Sequence, residues 1–170
     1  MAKREQITEQ IESLDEVDAQ DDLFLTFPLG NEEMAIEIRN VIEIVGIQNV
    51  TVLPDMPPYV KGVINLRGKV IPVIDVRLRF GFTERNYDER TCIVVVSIRG
   101  FSVGLIVDSV SEVLNIPTNS IEPSPKVKNG ESSRYIKGLG KVGEHVKIIL
   151  NIEELLINED IQLLQDSLAK

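Results

Sequence analysis

Residues 138–143, GLGKVG, match G-x-G-x-x-G, the spacing with which a glycine-rich turn seats a dinucleotide pyrophosphate on a helix N-terminus. The stretch that follows, EHVKIILNI, is strand-like, so these glycines read as hairpin residues rather than a phosphate cradle. His145 is the only histidine and enters that strand, which leaves no histidine cluster for a metal and favours a surface or structural role. Cys92, the only cysteine, opens an apolar run, reads as small apolar filler and excludes an internal disulfide. Asp108 and Glu112 form the one acidic pair with acid–base potential, but their segment has a second copy in the chain bearing Arg39 and Glu43 instead, which favours a solvated or structural role. No catalytic residue, metal or cofactor is expected.

Binding chemistry is better represented. GVINLRG (62–68) places Asn65 and Arg67 at a tight turn, where a guanidinium offers five fixed donors to a partner's carboxylates or carbonyls. NVIEIV (40–45) carries Val41, Glu43 and Ile44. On composition alone Arg67 is an exposed turn residue, Val41 and Ile44 are core, and Glu43 is a solvated charge.

The elements that position these residues come in two copies. YVKGVINLRGKVIPVIDVRLRF (59–80) aligns without a gap on YIKGLGKVGEHVKIILNIEELL (135–156), and MAIEIRNVIEIVGI (34–47) aligns on VGLIVDSVSEVLNI (103–116). The offsets are 76 and 69 residues, and Tyr59/Tyr135, Gly62/Gly138, Val41/Val110 and Glu43/Glu112 are identical pairs. Two pairings in the same order imply a duplicated unit of roughly 65 residues, and a seam between two lobes, where binding sites tend to form.

Period-two alternation begins at Leu23: LFLTFPL and EMAIEI read as a hairpin turning at Gly30-Asn31, and NVIEIVGI and NVTVLP as further strands. YVKGVINLRG and KVIPVIDV read as strands joined near Arg67-Gly68, with Pro72 placing the second at an edge or a bulge. Asp75 N-caps a short helix, and Asn151 holds the same place in the second copy. CIVVVSI (92–98) is apolar without alternation and reads as buried on both faces. Residues 117–134 read as a long mobile loop. Residues 1–22 read as an acidic mobile tail, with Ile7, Ile11 and Leu14 leaving a short helix as the alternative. Residues 158–170 read as an amphipathic helix docked on the barrels. The class is all-β: two small barrels, the first mostly 34–80 and the second mostly 92–156, with exchange of strands allowed.

The net charge is −9, and residues 1–22 alone hold eight acids against two bases. An acidic chain without a basic run is a poor nucleic-acid or anionic-membrane binder. No apolar stretch approaches the roughly 18 residues of a membrane span, and the N-terminus lacks an apolar signal core, so the chain reads as cytoplasmic.

The blocks IEIRNVIEIV, YVKGVINLRGKVIPVIDVRLRFG, VGLIVDSVSEVLNI and YIKGLGKVGEHVKIILNIEELL resemble, in order and spacing, those of the CheW family, the adaptor proteins of bacterial chemotaxis. The resemblance spans residues 23–157. It implies two SH3-like five-stranded β-barrels and a non-enzymatic scaffold that joins methyl-accepting chemoreceptors to the histidine kinase CheA. It implies a cytoplasmic location at membrane-associated receptor arrays. The receptor's helical-hairpin tip is then expected at a groove carrying Val41, Glu43, Ile44, Gly62, Asn65, Arg67 and Gly68. The kinase's regulatory domain is expected on apolar positions such as Val103, Leu105 and Val107, taken to lie on the second barrel. A module of another chemosensory pathway, serving pili or another output, or the adaptor part of an adaptor–receiver fusion are the alternatives. The chain ends at Lys170 without receiver-like repeats, which favours the stand-alone adaptor.

Overall fold

The computed structural model describes residues 2–12, 22–123, 135–156 and 162. The expected C-terminal helix, apart from Gln162, and residues 13–21 and 124–134 lie outside the described residues. The described residues form the strands β1 (Leu23–Leu29), β2 (Glu32–Glu37), β3 (Val41–Gly46), β4 (Val60–Leu66), β5 (Lys69–Asp75), β6 (Cys92–Ile98), β7 (Phe101–Val107), β8 (Glu112–Asn115), β9 (Ile121–Pro123), β10 (Ile136–Val142) and β11 (His145–Leu150). Among the described residues they are accompanied by the helix α1 (Ala2–Glu12) and the single turn α2 (Val76–Arg79).

The strands form a five-stranded sheet, β3-β6-β7-β5-β4, and a six-stranded sheet, β8-β1-β2-β11-β10-β9. The class is all-β, in two lobes, and the copies exchange hairpins: β6–β7 joins strands of the first copy, and β1–β2 joins strands of the second. The exchange is symmetric. β5 runs parallel to β7 with Val73 opposite Gly104, and β11 runs parallel to β2 with Ile149 opposite Ala35. These are the same two repeat positions with the copies swapped. Asp75 N–H donates to the Tyr59 carbonyl at 2.8 Å, and Asn151 N–H to the Tyr135 carbonyl at 2.7 Å, which repeats the relation.

Each sheet curls closed by the same device. Thr51, beyond β3, exchanges two backbone bonds with Val63 of β4 (2.8 and 2.9 Å). In the other lobe the chain beyond β8 passes through a 3-10 turn, Thr118–Ser120, into β9, which pairs with β10. The segment expected as loop from 117 onward therefore holds a 3-10 turn and then a strand, and NVTVLP, expected as a strand, contributes one bridge. Gly62 and Gly138 sit beneath these crossings at bulges of β4 and β10.

Of the edge or bulge expected from Pro72, β5 shows neither: it is an inner strand, and the bulge of the β4–β5 pair lies on β4 between Val60 and Gly62. Val63, opposite Pro72, directs its own backbone groups to Thr51, so the Pro72 nitrogen faces β7. The parallel ladder with β7 begins at Val73, one residue later, so no hydrogen bond is lost to the proline.

Ile64, Ile71, Val73, Ile93, Val95 and Ile106 fill the first lobe, while Phe24, Ala35, Ile116 and Ile149 fill the second. The largest cluster lies between the lobes and is built from repeat partners: Ile36 with Leu105, Ile74 with Leu150, Val76 with Ile152, and Tyr59 with Tyr135. β7 serves both interiors and is buried on both faces, as is β6.

Residues 2–12, expected in a mobile tail, form the helix that was the alternative reading. Ile7 is 2% exposed within the inter-lobe cluster, and Ile11 packs against it. Two isoleucines four residues apart lie on one helix face and give it an apolar seat.

Candidate functional site

The β4–β5 hairpin turns through Arg67 (φ 51) and Gly68 (φ 86), flanked by the Leu66–Lys69 pair. Both central residues have positive φ, as a type I′ turn requires. Asn65 Oδ1 accepts the Gly68 N–H at 2.8 Å and fixes the loop. Arg67 is thereby aimed across the gap between the edge strands of the five-stranded sheet. Its Nη1 donates to Glu43 Oε2 at 2.8 Å and its Nη2 to Oε1 at 2.7 Å.

The clasp is open to solvent on the arginine side, whose side chain is 70% exposed against 25% for Glu43. The Arg67 hydrogen bonds hold the Glu43 carboxyl below its ordinary range, and Glu43 in turn raises the guanidinium. Two donors are engaged and the remaining face of the fork is available.

Of the seven residues expected at the receptor groove, the structure gathers Glu43, Asn65, Arg67 and Gly68 at one hairpin end. Gly62 belongs to the fold. Its φ is +143, and a Cβ there would stand 2.0 Å from the Thr51 carbonyl oxygen, so the close approach it permits is to this chain's own backbone. Val41 and Ile44 lie on β3 but pack toward the inter-lobe cluster, Ile44 being 5% exposed. A β-bulge between Val41 and Glu43 turns Ile42 outward, 49% exposed, where simple alternation would have put it inside. Ile42, and Val70 on β5, are the exposed apolar neighbours in these strands that sequence reasoning missed.

The residues expected to contact the kinase are corrected. Val103, Leu105 and Val107 lie on β7 of the five-stranded sheet, not on the second barrel, and are fully buried. They are the repeat partners of Met34, Ile36 and Ile38, and all six build the inter-lobe cluster. Apolar residues on a strand covered from both sides are core, and that covering follows from the exchange of hairpins.

The remaining chemical candidates resolve into structure. GLGKVG spans β10 and its turn into β11. His145 is exposed at the start of β11, and Cys92 is buried, its thiol pushed up by desolvation. Asp108 is held by Arg77 at 2.9 Å and Arg85 at 3.4 Å, and Glu112 is exposed on β8. Asp75 caps α2 through Leu78 N–H and accepts the Tyr87 hydroxyl at 2.7 Å. Asn151 occupies the equivalent N-cap without a side-chain bond, so the cap chemistry expected in both copies is present in one. No group of three or more potential metal ligands occurs among the described residues.

The CheW-like domain model matches residues 23–160. The chain is 42% identical over 147 residues to the chemotaxis protein CheW of Klebsiella aerogenes, covering 86% of this chain and 88% of that protein. It is 36% identical over 133 residues to the chemotaxis protein CheW of Helicobacter pylori, covering 78% and 80% respectively. Among solved structures, the scaffolding protein TtCheW from Thermoanaerobacter tengcongensis superposes with a TM-score of 0.74 at 37% identity, over 81% of this chain and 94% of that one.

Proposed function

The chain belongs to the CheW family of chemotaxis scaffolds, and from that membership we propose that it couples methyl-accepting chemoreceptors to the histidine kinase CheA. The receptor's helical-hairpin tip is taken by β3 and the β4–β5 hairpin. The observation that carries this reading is the exposed Arg67–Glu43 clasp: a guanidinium held in one orientation by its turn and its partner, with donors to spare for a receptor carboxylate or carbonyl. Preorganisation of this kind lowers the ordering cost that a free arginine would bring to the contact.

The kinase's regulatory domain binds elsewhere, on a surface that does not include the buried β7 side chains. The role is non-enzymatic, performed in the cytoplasm beneath membrane-associated receptor arrays. No helix among the described residues is long and apolar enough to cross a membrane. A contact of about 800 Å² per partner with micromolar affinity suits an array assembled from many weak contacts.

Titration calorimetry of the chain against a receptor hairpin and, separately, against a CheA regulatory domain tests the reading. Wild type binds both, and Arg67→Glu loses the receptor while keeping the kinase domain. An Arg67→Glu chain that still binds the receptor removes the clasp from the interface. Failure of wild type to bind either partner at about 100 µM removes the coupling role.

A further inference from the structure

A cavity of about 160 Å³ opens where three segments meet: Lys3 and Arg4 on the first turn of α1, Arg90 and Cys92 at the start of β6, and Ser109 and Ser111 ahead of β8. The fold fixes two of its cations in place. Gly46 of β3 pairs with Cys92, and the Arg4 guanidinium lies against Gly46, where a Cβ would stand 3.3 Å from Nη1. The charge of Arg4 also reaches the Cys92 thiol, where it opposes the larger effect of desolvation. Arg90 belongs to a tight turn: its N–H donates to Asp88 Oδ1 at 2.8 Å, and its carbonyl accepts the Cys92 thiol at 3.1 Å.

These cations have no carboxylate of their own. Neither Lys3, Arg4 nor Arg90 makes an ion pair among the described residues, although acids outnumber bases by 27 to 18 in the chain. Asp88 is occupied by Arg85 at 3.3 Å, and Glu33 accepts the Ser111 hydroxyl at 3.1 Å. Glu89, exposed at the rim, sets one carboxylate against three cations in the lining. Arg4 is half-buried, and a guanidinium withdrawn from water without a counter-ion is costly. The Ser109 hydroxyl is half-buried too, and makes no hydrogen bond among the described residues. Donors without acceptors that converge on one cavity call for an acceptor from outside.

We propose that this cavity binds a phosphate group, with Arg4 and Arg90 as its charge partners, Lys3 at the rim and the Ser109 hydroxyl as a neutral donor. A tetrahedral dianion carries acceptor oxygens on every side and suits donors arriving from several segments, arginine forks in particular. The volume lies below the roughly 300 Å³ at which pockets for drug-sized ligands begin, which excludes a whole nucleotide. The ligand is therefore the phosphate group itself, as the free ion or as a monoester on a partner's side chain. The site uses none of the clasp residues and stands independently of the receptor reading.

The test is amide chemical-shift mapping by NMR on the intact chain, titrated with inorganic phosphate and separately with N-acetyl-phosphoserine amide, at an ionic strength held constant with chloride. Saturating shifts are expected at the amides of residues 89–92 and 109–111, with a Kd of about 1 mM or below, weakened about tenfold or more in Arg4→Gln and in Arg90→Gln. Arg90 is exposed, so its variant keeps the test open where Arg4→Gln disturbs α1. A monoester bound no more tightly than phosphate assigns the site to the free ion, and one bound about tenfold more tightly assigns it to a phosphorylated partner. Shifts that fail to saturate by about 20 mM, that chloride alone reproduces, or that survive both substitutions overturn the proposal.

Discussion

Arg67 combines a strained backbone with an exposed side chain, so replacements at this position separate folding from binding. Arg67→Gly relieves the positive φ while removing the guanidinium. Its melting temperature is expected to stay within about 3 °C of wild type, while calorimetry records at least a tenfold loss of receptor-hairpin affinity. A larger loss of stability would make the clasp structural. A second ion-pair site gives a pH prediction. Burial alone would raise the Glu37 carboxyl, but hydrogen bonds and charge from Lys137 and Arg39 overcome it and hold the carboxyl below its ordinary 4.5. A carboxyl depressed in the folded state contributes stability that is fully present above its unfolded value and lost as pH falls through the folded one. Glu37→Gln should therefore flatten the acid limb of a stability–pH curve below about pH 5, measured by denaturant melts at each pH. An unchanged limb would mean the pair contributes nothing.

At the scale of elements, three glycines of similar appearance in sequence are expected to behave differently. Gly62→Ala drives a Cβ into the Thr51 carbonyl at 2.0 Å and imposes an unfavourable φ, at the crossing that closes the first barrel. Gly138→Ala meets the Glu122 carbonyl at 2.9 Å with an ordinary φ, and Gly68→Ala meets nothing within 4 Å. Losses of about 3 kcal/mol or more, about 1–2 kcal/mol and about 1 kcal/mol are expected in that order by urea denaturation. A Gly62→Ala chain as stable as Gly68→Ala would contradict the closure described above. The repeated Lys-Gly dipeptide was visible in the sequence. Its reason was not, because the carbonyl beneath each glycine comes from a segment roughly 11 to 16 residues away in the chain that pairs only once the barrel curls.

The whole molecule turns on Arg79. Its guanidinium lies 4.3 Å from the Tyr59 ring centroid and 4.7 Å from that of Tyr135, and its Nε donates to the Leu155 carbonyl. The two tyrosines are repeat partners, and Leu155 is the repeat partner of Arg79 itself, so this stack marks the approximate two-fold relation between the lobes. Arg79→Ala should lower stability by about 2 kcal/mol, from two cation–π contacts and a part-buried hydrogen bond, and increase exchange at the inter-lobe strands. Conversely, the Tyr59 hydroxyl is buried without a hydrogen-bond partner among the described residues, so Tyr59→Phe should hold or raise the melting temperature. A drop of several degrees in Tyr59→Phe would reveal a partner for that hydroxyl.

The all-β class, the duplication, the hairpin at Arg67-Gly68 and the resemblance to chemotaxis adaptors were all legible in the sequence. Strand alternation, turn residues and block spacing are local and survive without knowledge of neighbours. The hairpin exchange was not legible as a fact, since nothing local says which of two similar sheets a hairpin will join. Tertiary structure decided it, and with it the burial of Val103, Leu105 and Val107 and the inner position of β5. The seat of α1 had the same origin. Ile7 and Ile11 gave the sequence a possible helix, but only two strands 69 residues apart in the repeat, brought side by side by folding, gave that helix an apolar groove to fill.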